Sequence, residues 1–272
     1  MKEARSCCLL RPDPITLVYV HVPGDLQHEL YAHRFLNTYR QFPPGEPHNT
    51  VVVCNGAQPR RRTREIFAGL PVRYLVHDDS GWDIGAFQAA ARALASESQM
   101  LFCCGGPAHF RRTGWLRRIG DVWSQYGPGM YGTCACYEVR PHLNTSGFAV
   151  EPWMLADYPA VTGRSSGGDR YEFEHGQGAL WLRVALAGYP VLLVTWDGVY
   201  EWPRWRKPAN GFRRGDQSNC LAYFRNTDEF EYADERLRAQ RTQSADRPPP
   251  AGFNAPVLKK SAPKSSLVLA SP

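Results

Sequence analysis

Lysine is scarce in this chain, and long apolar runs are missing. Only five of the 32 basic residues are lysine. No stretch of about 20 apolar residues occurs, so the sequence offers no membrane-spanning helix. The opening MKEARSCCLLRPDP holds too short an apolar run for a secretory signal, and Pro12 interrupts it. An untargeted cytoplasmic chain is expected, with no integral membrane segment, peripheral to a membrane only through a partner. None of the eight cysteines forms a C-x-x-C pair, and no Cys/His zinc pattern is present. Four of them sit in apolar strand-like runs, where a thiol behaves as a small hydrophobe. Reduced, buried cysteines are expected, as in cytosol. G-x-G-x-x-G and Walker motifs are absent, which argues against dinucleotide and P-loop chemistry. There is no G-x-S-x-G elbow, no H-E-x-x-H and no kinase motif set.

Charge of one sign is also modest where it matters. The formal net charge is +6. Between residues 240 and 272, Arg241, Arg247, Lys259, Lys260 and Lys264 stand against Asp246 alone, a local net of +4. The body therefore carries about +2, too little for a nucleic-acid footprint, and no nucleic-acid partner is expected. The dense run Arg60-Arg61-Arg62-Thr63-Arg64 reads as a solvated helix face, with anion or nucleic-acid contact as the lesser reading.

The 272 residues, 43% of them hydrophobic, suffice for one sizeable core. Apolar strand-like runs alternate with helical patterns through the first 110 residues. Ile15–Val22 is a strand; Asp25 caps a helix to about Arg40; Thr50–Cys54 is a strand. Helix 59–68, strand 72–77, helix 83–96 and strand 99–104 follow. This order predicts an α/β fold with a mostly parallel central sheet flanked by helices. The strands lack polar alternation, as expected when both faces are covered. Beyond Phe110 the pattern changes. Arg112–Trp123 reads as helix. GMYGTCACYEV and NTSGFAVEP read as two strands, antiparallel or mixed, of a smaller mixed sheet. GRSSGGDRYEFEHG leads into a helix of about 170–188, then VLLVTWDG is a strand. Asp228–Arg241 reads as one charged surface helix. The expected organisation is an extension at 1–13, a single domain at 14–240 split near residue 110, and a disordered basic tail at 241–272.

The strand exits concentrate the chemistry. Asp78, Asp79 and Asp83 follow one strand, and such exits are where ligands bind in open α/β sheets. Adjacent carboxylates suit a metal or sugar hydroxyls; Asp83 or Ser80 capping the next helix is the structural alternative. Gly85 on that helix permits close backbone approach. Gly105-Gly106 ends the next strand and allows close passage of a ligand. Asp169-Arg170-Tyr171-Glu172 has capping-box spacing. Glu174 and His175 are not explained by capping, and either suits a general base on a hydroxyl. His142 and Asn144 lie between two strands and suit the same cleft. Asp197 ends a strand, Asp216 opens a polar run, and Trp196 offers a stacking face for a sugar.

With those segments in view, the chain resembles GT-A nucleotide-sugar glycosyltransferases over about residues 14–225. ITLVYVHVPG, with His21, is similar to their first strand and nucleotide-facing loop. VVVCNG, with Asn55, is similar to the second strand and its polar exit. DDSGWDIGAFQAA resembles the corresponding segment of polysaccharide-building, rhamnan-synthesis-type transferases. RPHLNTSGFAV looks like their acceptor-side strand pair, and GGDRYEFEHG like the segment bearing the base of inverting members. The resemblance implies a GT-A-like, Rossmann-like fold, a nucleotide-sugar donor and a glycan acceptor. It implies donor contacts from His21, Asn55, Asp79, Asp83, Gly105, Gly106 and Arg111. His142, Asn144, Trp196, Asp197 and Asp216 fall on the acceptor side, with Glu174 or His175 as base. The family's Asp-x-Asp is replaced here by Cys103-Cys104-Gly105-Gly106. A Mg²⁺ or Mn²⁺ ion would then need Asp79 and Asp83, or cationic side chains such as Arg111 must neutralise the leaving diphosphate. The missing motif also fits a non-catalytic glycan- or nucleotide-binding protein on the same fold.

Overall fold

A computed structural model describes residues 15–165 and 167–248. The alternation read from the first half is present. Strand β1 (Ile15–His21) leads to helix α1 (Leu26–Gln41), β2 (Asn49–Asn55), α2 (Arg61–Ile66), β3 (Val72–His77), α3 (Trp82–Leu94) and β4 (Met100–Cys104). Every residue of β1 is buried, because its side chains feed two cores. Leu17 and Tyr19 pack on one face, Val18 and Val20 on the other. That is the physical reason its sequence shows no polar alternation. Asp25 caps α1 by accepting from the His28 N–H at 2.8 Å.

The second half contributes α4 (Trp115–Tyr126), β5 (Met130–Gly132), β6 (Ala135–Cys136), β7 (His142–Leu143) and β8 (Gly147–Val150). Then come α5 (Pro152–Ala156), α6 (Gly168–His175), α7 (Leu180–Leu186), β9 (Val191–Val194), β10 (Val199–Glu201), α8 (Arg225–Glu231) and α9 (Glu235–Ala245). The central sheet has the order β10-β9-β5-β8-β4-β1-β2-β3. Pairs β1–β2, β1–β4, β2–β3 and β5–β9 are parallel, while β8 runs antiparallel to both β4 and β5. The chain winds outward from β1 through β2 to β3, then returns to place β4 on the other side of β1. The crevice between the carboxyl ends of β1 and β4 is thus a topological switch point, the usual ligand position in such sheets.

The expected smaller sheet is a two-stranded antiparallel ribbon of β6 and β7, and the other short strands join the central sheet, while the expected helix bounds and capping box need correction. Fully buried GFAV in β8 suits an interior strand. The helix expected over 170–188 is two helices, broken after His175. A Cβ on Gly176 would lie 1.9 Å from Glu172 Oε2, and that carboxylate takes the Gly178 N–H at 2.5 Å through Oε1. The helix expected over 228–241 is likewise two, because Asp234 caps a new start by accepting from the Leu237 N–H. Helix α9 continues past residue 241 to Ala245, which is buried. Finally, Asp169 and Glu172 form no capping box: Asp169 takes the N–H groups of Thr162 and Gly163 instead. The expected extension at 1–13 and most of the tail lie outside the described residues.

Candidate functional site

The loop after β3 shapes the site. Asp79, Gly81 and Trp82 all adopt positive φ, at 70°, 67° and 53°. Asp and Gly tolerate that region, whereas a tryptophan there is strained. Neighbours hold the strain in place. Asn55 Nδ2 donates to the Trp82 carbonyl at 3.0 Å, and Asn55 Oδ1 meets His77 Nδ1 at 2.9 Å. A Cβ at Gly81 would strike the Val161 carbonyl oxygen at 2.1 Å, and one at Gly85 the Ser80 carbonyl oxygen at 1.9 Å. The loop therefore folds tightly onto its helix. Neither Ser80 nor Asp83 caps α3: Ser80 Oγ is turned to Asp78, and Asp83 accepts from its own neighbour Ile84.

This loop forms one wall of a cleft of about 430 Å³ at the switch point. Val20 and Val22 come from the exit of β1, Asn55 from β2, and Asp79, Trp82 and Asp83 from the strained loop. Gly105, Gly106 and Pro107 follow β4 on the far side. A Cβ at Gly106 would come within 2.9 Å of His28 Nδ1, so a side chain there would push the His28 ring aside. His28 Nδ1 is buried without a hydrogen-bond partner. Burial lowers the His28 imidazole below its ordinary value, although Asp25, Asp79 and Asp83 pull the other way. Arg225, at the start of α8, lines the rim of the cleft; its side chain is largely exposed and its Nε donates to Glu229 Oε1 at 2.9 Å.

A second lobe of about 200 Å³ adjoins the first, and Asp83, Ser146 and Arg170 line both. Arg170 is the hinge between them. Its Nη1 donates to the Gly81 carbonyl at 2.6 Å and to Asp83 Oδ1 at 3.0 Å, and its guanidinium lies 4.6 Å from the Trp82 ring centroid. Burial raises the Asp83 carboxyl above its ordinary value, with Arg170 opposing. The second lobe holds Glu174, His175, His142, Asn144 and Glu138. Glu174 Oε1 accepts from the Thr145 N–H at 3.1 Å and the Thr145 hydroxyl at 3.0 Å. Burial would raise this carboxyl, but the facing His142 and His175 and the Thr145 bonds outweigh it and hold it below the ordinary value. Burial drives His175 down to about 4, so at neutral pH it is a neutral imidazole.

The structure thus gathers Asn55, Asp79, Asp83, Gly105 and Gly106 in one lobe, and Glu174, His175, His142 and Asn144 in the next. The remaining sequence candidates stand elsewhere. His21 is buried under the first lobe, 3.4 Å from Thr63 Oγ1. Arg111 pairs with Glu231 and covers the Tyr223 ring. Trp196 donates to the Cys220 carbonyl beneath the Arg112 guanidinium. Asp197 binds the Thr195 hydroxyl and the Asp216 carboxylate its own Ser218 N–H, both as local turn partners. Sequence reading passed over His28, Trp82, Ser146, Arg170 and Arg225. Arg170 was hidden inside the capping-box spacing; nothing local marks Arg225.

A Mg²⁺ or Mn²⁺ ion at Asp79 and Asp83, as the resemblance implies, would share both carboxylates with arginine and draw its remaining ligands from water or substrate. Asp83 Oδ1 is engaged by Arg170, and Asp79 Oδ2 lies 3.8 Å from Arg164. No third acidic, histidine or cysteine group converges on them among the described residues. The six described cysteines are buried free thiols, and none of the described helices is long and apolar enough to cross a membrane.

No protein-family model matches the sequence, and no curated protein matches it. Among solved structures, the chain is similar to the mannosyltransferase PcManGT from Pyrobaculum calidifontis in complex with GDP-Man and Mn²⁺. The identity is 14% over 65% of this chain and 55% of that one, with a TM-score of 0.46. It is also similar to residues 1–349 of TarS from S. aureus in complex with UDP-GlcNAc. There the identity is 10% over 53% and 46%, with a TM-score of 0.40. A third is a 4-diphosphocytidyl-2C-methyl-D-erythritol synthase from Anaerococcus prevotii, 12% identical over 58% and 80%, with a TM-score of 0.42. The chain spans about half the length of the first two.

Proposed function

We propose that this chain transfers a sugar from a nucleotide-sugar donor to a hydroxyl of a glycan or related acceptor, with inversion. The observation that carries the reading is the two-lobed cleft, with a glycine-lined lobe at the switch point and, in the adjoining lobe, a partly buried carboxylate oriented by Thr145. The donor occupies the larger lobe, its nucleoside between Asn55 and Asp79 and its diphosphate along Gly105-Gly106. Arg170 and Arg225 supply the positive charge for that diphosphate, since β4 ends without a carboxylate to hold a metal. The acceptor hydroxyl lies in the smaller lobe. Glu174 takes its proton; the oxygen attacks the anomeric carbon in line; the bond to the diphosphate breaks, and the leaving group keeps the electron pair. Asn144 and His142 orient the acceptor.

Release of nucleoside diphosphate from a panel of nucleotide-sugars tests this, with water as the default acceptor. Turnover of one donor, lost in Glu174→Gln while donor binding survives, is expected. The glycine cleft without an Asp-x-Asp favours a second reading, a glycan- or nucleotide-binding protein without catalysis. It predicts binding with no release in any variant.

A further inference from the structure

The smaller lobe contains a ligand set that the transfer reading does not use as such. His142, Glu174 and His175 each present a ligand atom, all within 4.8 Å of one another. His142 Nε2 faces Glu174 Oε1 at 4.0 Å, and His175 Nε2 faces Glu174 Oε2 at 3.4 Å. The spacing of such atoms around an ion with bonds of about 2.0–2.2 Å is a little over 3 Å, so small side-chain shifts close it. The surroundings are those of a metal site. His142 Nδ1 lies 2.7 Å from the Arg140 carbonyl oxygen, which fixes its proton there and leaves Nε2 with a free lone pair. Glu174 is in turn oriented by two Thr145 donors. The imidazole of His142 is only 5% exposed, so its direction is set by packing. His175 Nδ1 is buried with no hydrogen-bond partner, and the ring, packed against His142 and Tyr171, turns Nε2 to Glu174.

We infer that His142, Glu174 and His175 form a binding site for a borderline transition-metal ion of the Zn²⁺ or Co²⁺ class. Two imidazoles and one carboxylate select such ions over Mg²⁺ or Ca²⁺, which prefer oxygen ligands. Three protein ligands leave a coordination position open toward the lobe, for water or a hydroxyl. The site also has a consequence that rests on the transfer reading. A bound ion occupies the carboxylate that would accept the acceptor proton, so zinc loading and base catalysis by Glu174 exclude one another.

The test uses the untagged full chain, stripped with a chelator and titrated with Co²⁺. The inference expects one equivalent to give the visible absorption of a Co²⁺–imidazole site, displaced by Zn²⁺ and not by Mg²⁺. Glu174→Gln and His175→Ala, each checked for an unchanged thermal melt without metal, should weaken Co²⁺ binding at least tenfold. Absence of the band, or equal binding in both variants, overturns the site. The second arm is donor turnover, where one equivalent of Zn²⁺ should inhibit and a chelator restore. Absorption without inhibition keeps the metal site and removes only its link to the base; inhibition without absorption removes the site.

Discussion

Arg170 reaches Asp83 across 87 positions of sequence, its Nη1 donating to Oδ1 at 3.0 Å. The same nitrogen holds the Gly81 carbonyl. One side chain thereby ties α6 to the strained loop after β3 and stands where the two lobes meet. Removing it leaves a raised, half-buried carboxylate without its counter-charge. Arg170→Met should lower stability by about 1–3 kcal/mol, the range for a charged hydrogen bond lost at a partly exposed site. Asp83→Asn should cost less, and the double variant less than the sum of the two. Urea denaturation of the three variants measures the coupling.

Gly85→Ala tests the loop itself. The new methyl would meet the Ser80 carbonyl oxygen at 1.9 Å and His77 Cε1 at 3.1 Å. Backbone must move, at a cost of about 1–3 kcal/mol or more. Because the displaced loop carries Asp79 and Trp82, nucleotide binding should fall further than stability does. Calorimetric titration beside a thermal melt separates the two effects.

The pH profile of donor turnover reports on Glu174. The carboxyl is held below its ordinary value, so the base is ionised throughout the neutral range. The acid limb should therefore lie below the ordinary glutamate value of about 4.3. His142→Asn removes the side chain that contributes most to holding this carboxyl down, and the limb should move upward. An unmoved limb would assign it to another group.

Stability should fall as the medium is acidified. His21, His109 and His175 are each lowered to about 4 by burial first of all. Their unfolded value is about 6.5, so the unfolded chain binds more protons between 6.5 and 4. The stability they contribute is complete above 6.5 and is lost as pH falls through 4. Glu151, raised to about 7 by burial, acts in the opposite sense and loses stability as pH rises through that value. His21→Met should flatten the acid side, because His21 Nδ1 is buried without a partner. Melting temperature against pH from 4 to 8, for both proteins, reads this directly.

How much was legible follows from where the information lay. The first half was readable because fully buried strands write themselves as unbroken apolar runs, as in β1 and β2. The short strands β5 to β10 carry two to four residues each, too few for a period to emerge. Gly176 and Asp234 were visible breaks inside assumed helices, and their turn chemistry was outweighed by the surrounding helical pattern. Asp79, Asp83, Gly105 and Gly106 were singled out because strand exits are a general ligand position, and they line one cleft. Arg111 was proposed from its closeness to β4 in sequence. The chain instead turns at Pro107 and pairs His109 with Tyr223, which carries Arg111 toward α8. Arg225 reaches the cleft only through tertiary packing, and no local pattern marks it.

The most direct measurement is calorimetric titration of nucleoside diphosphates into the wild-type chain and into Arg170→Met, Arg225→Ala and Glu174→Gln, with chelator present. The account predicts that one nucleoside diphosphate binds without added metal. Each arginine variant should weaken it at least tenfold, about 1.4 kcal/mol, and Glu174→Gln should leave it unchanged. Absence of binding to any nucleoside diphosphate, or binding indifferent to both arginines, would contradict it.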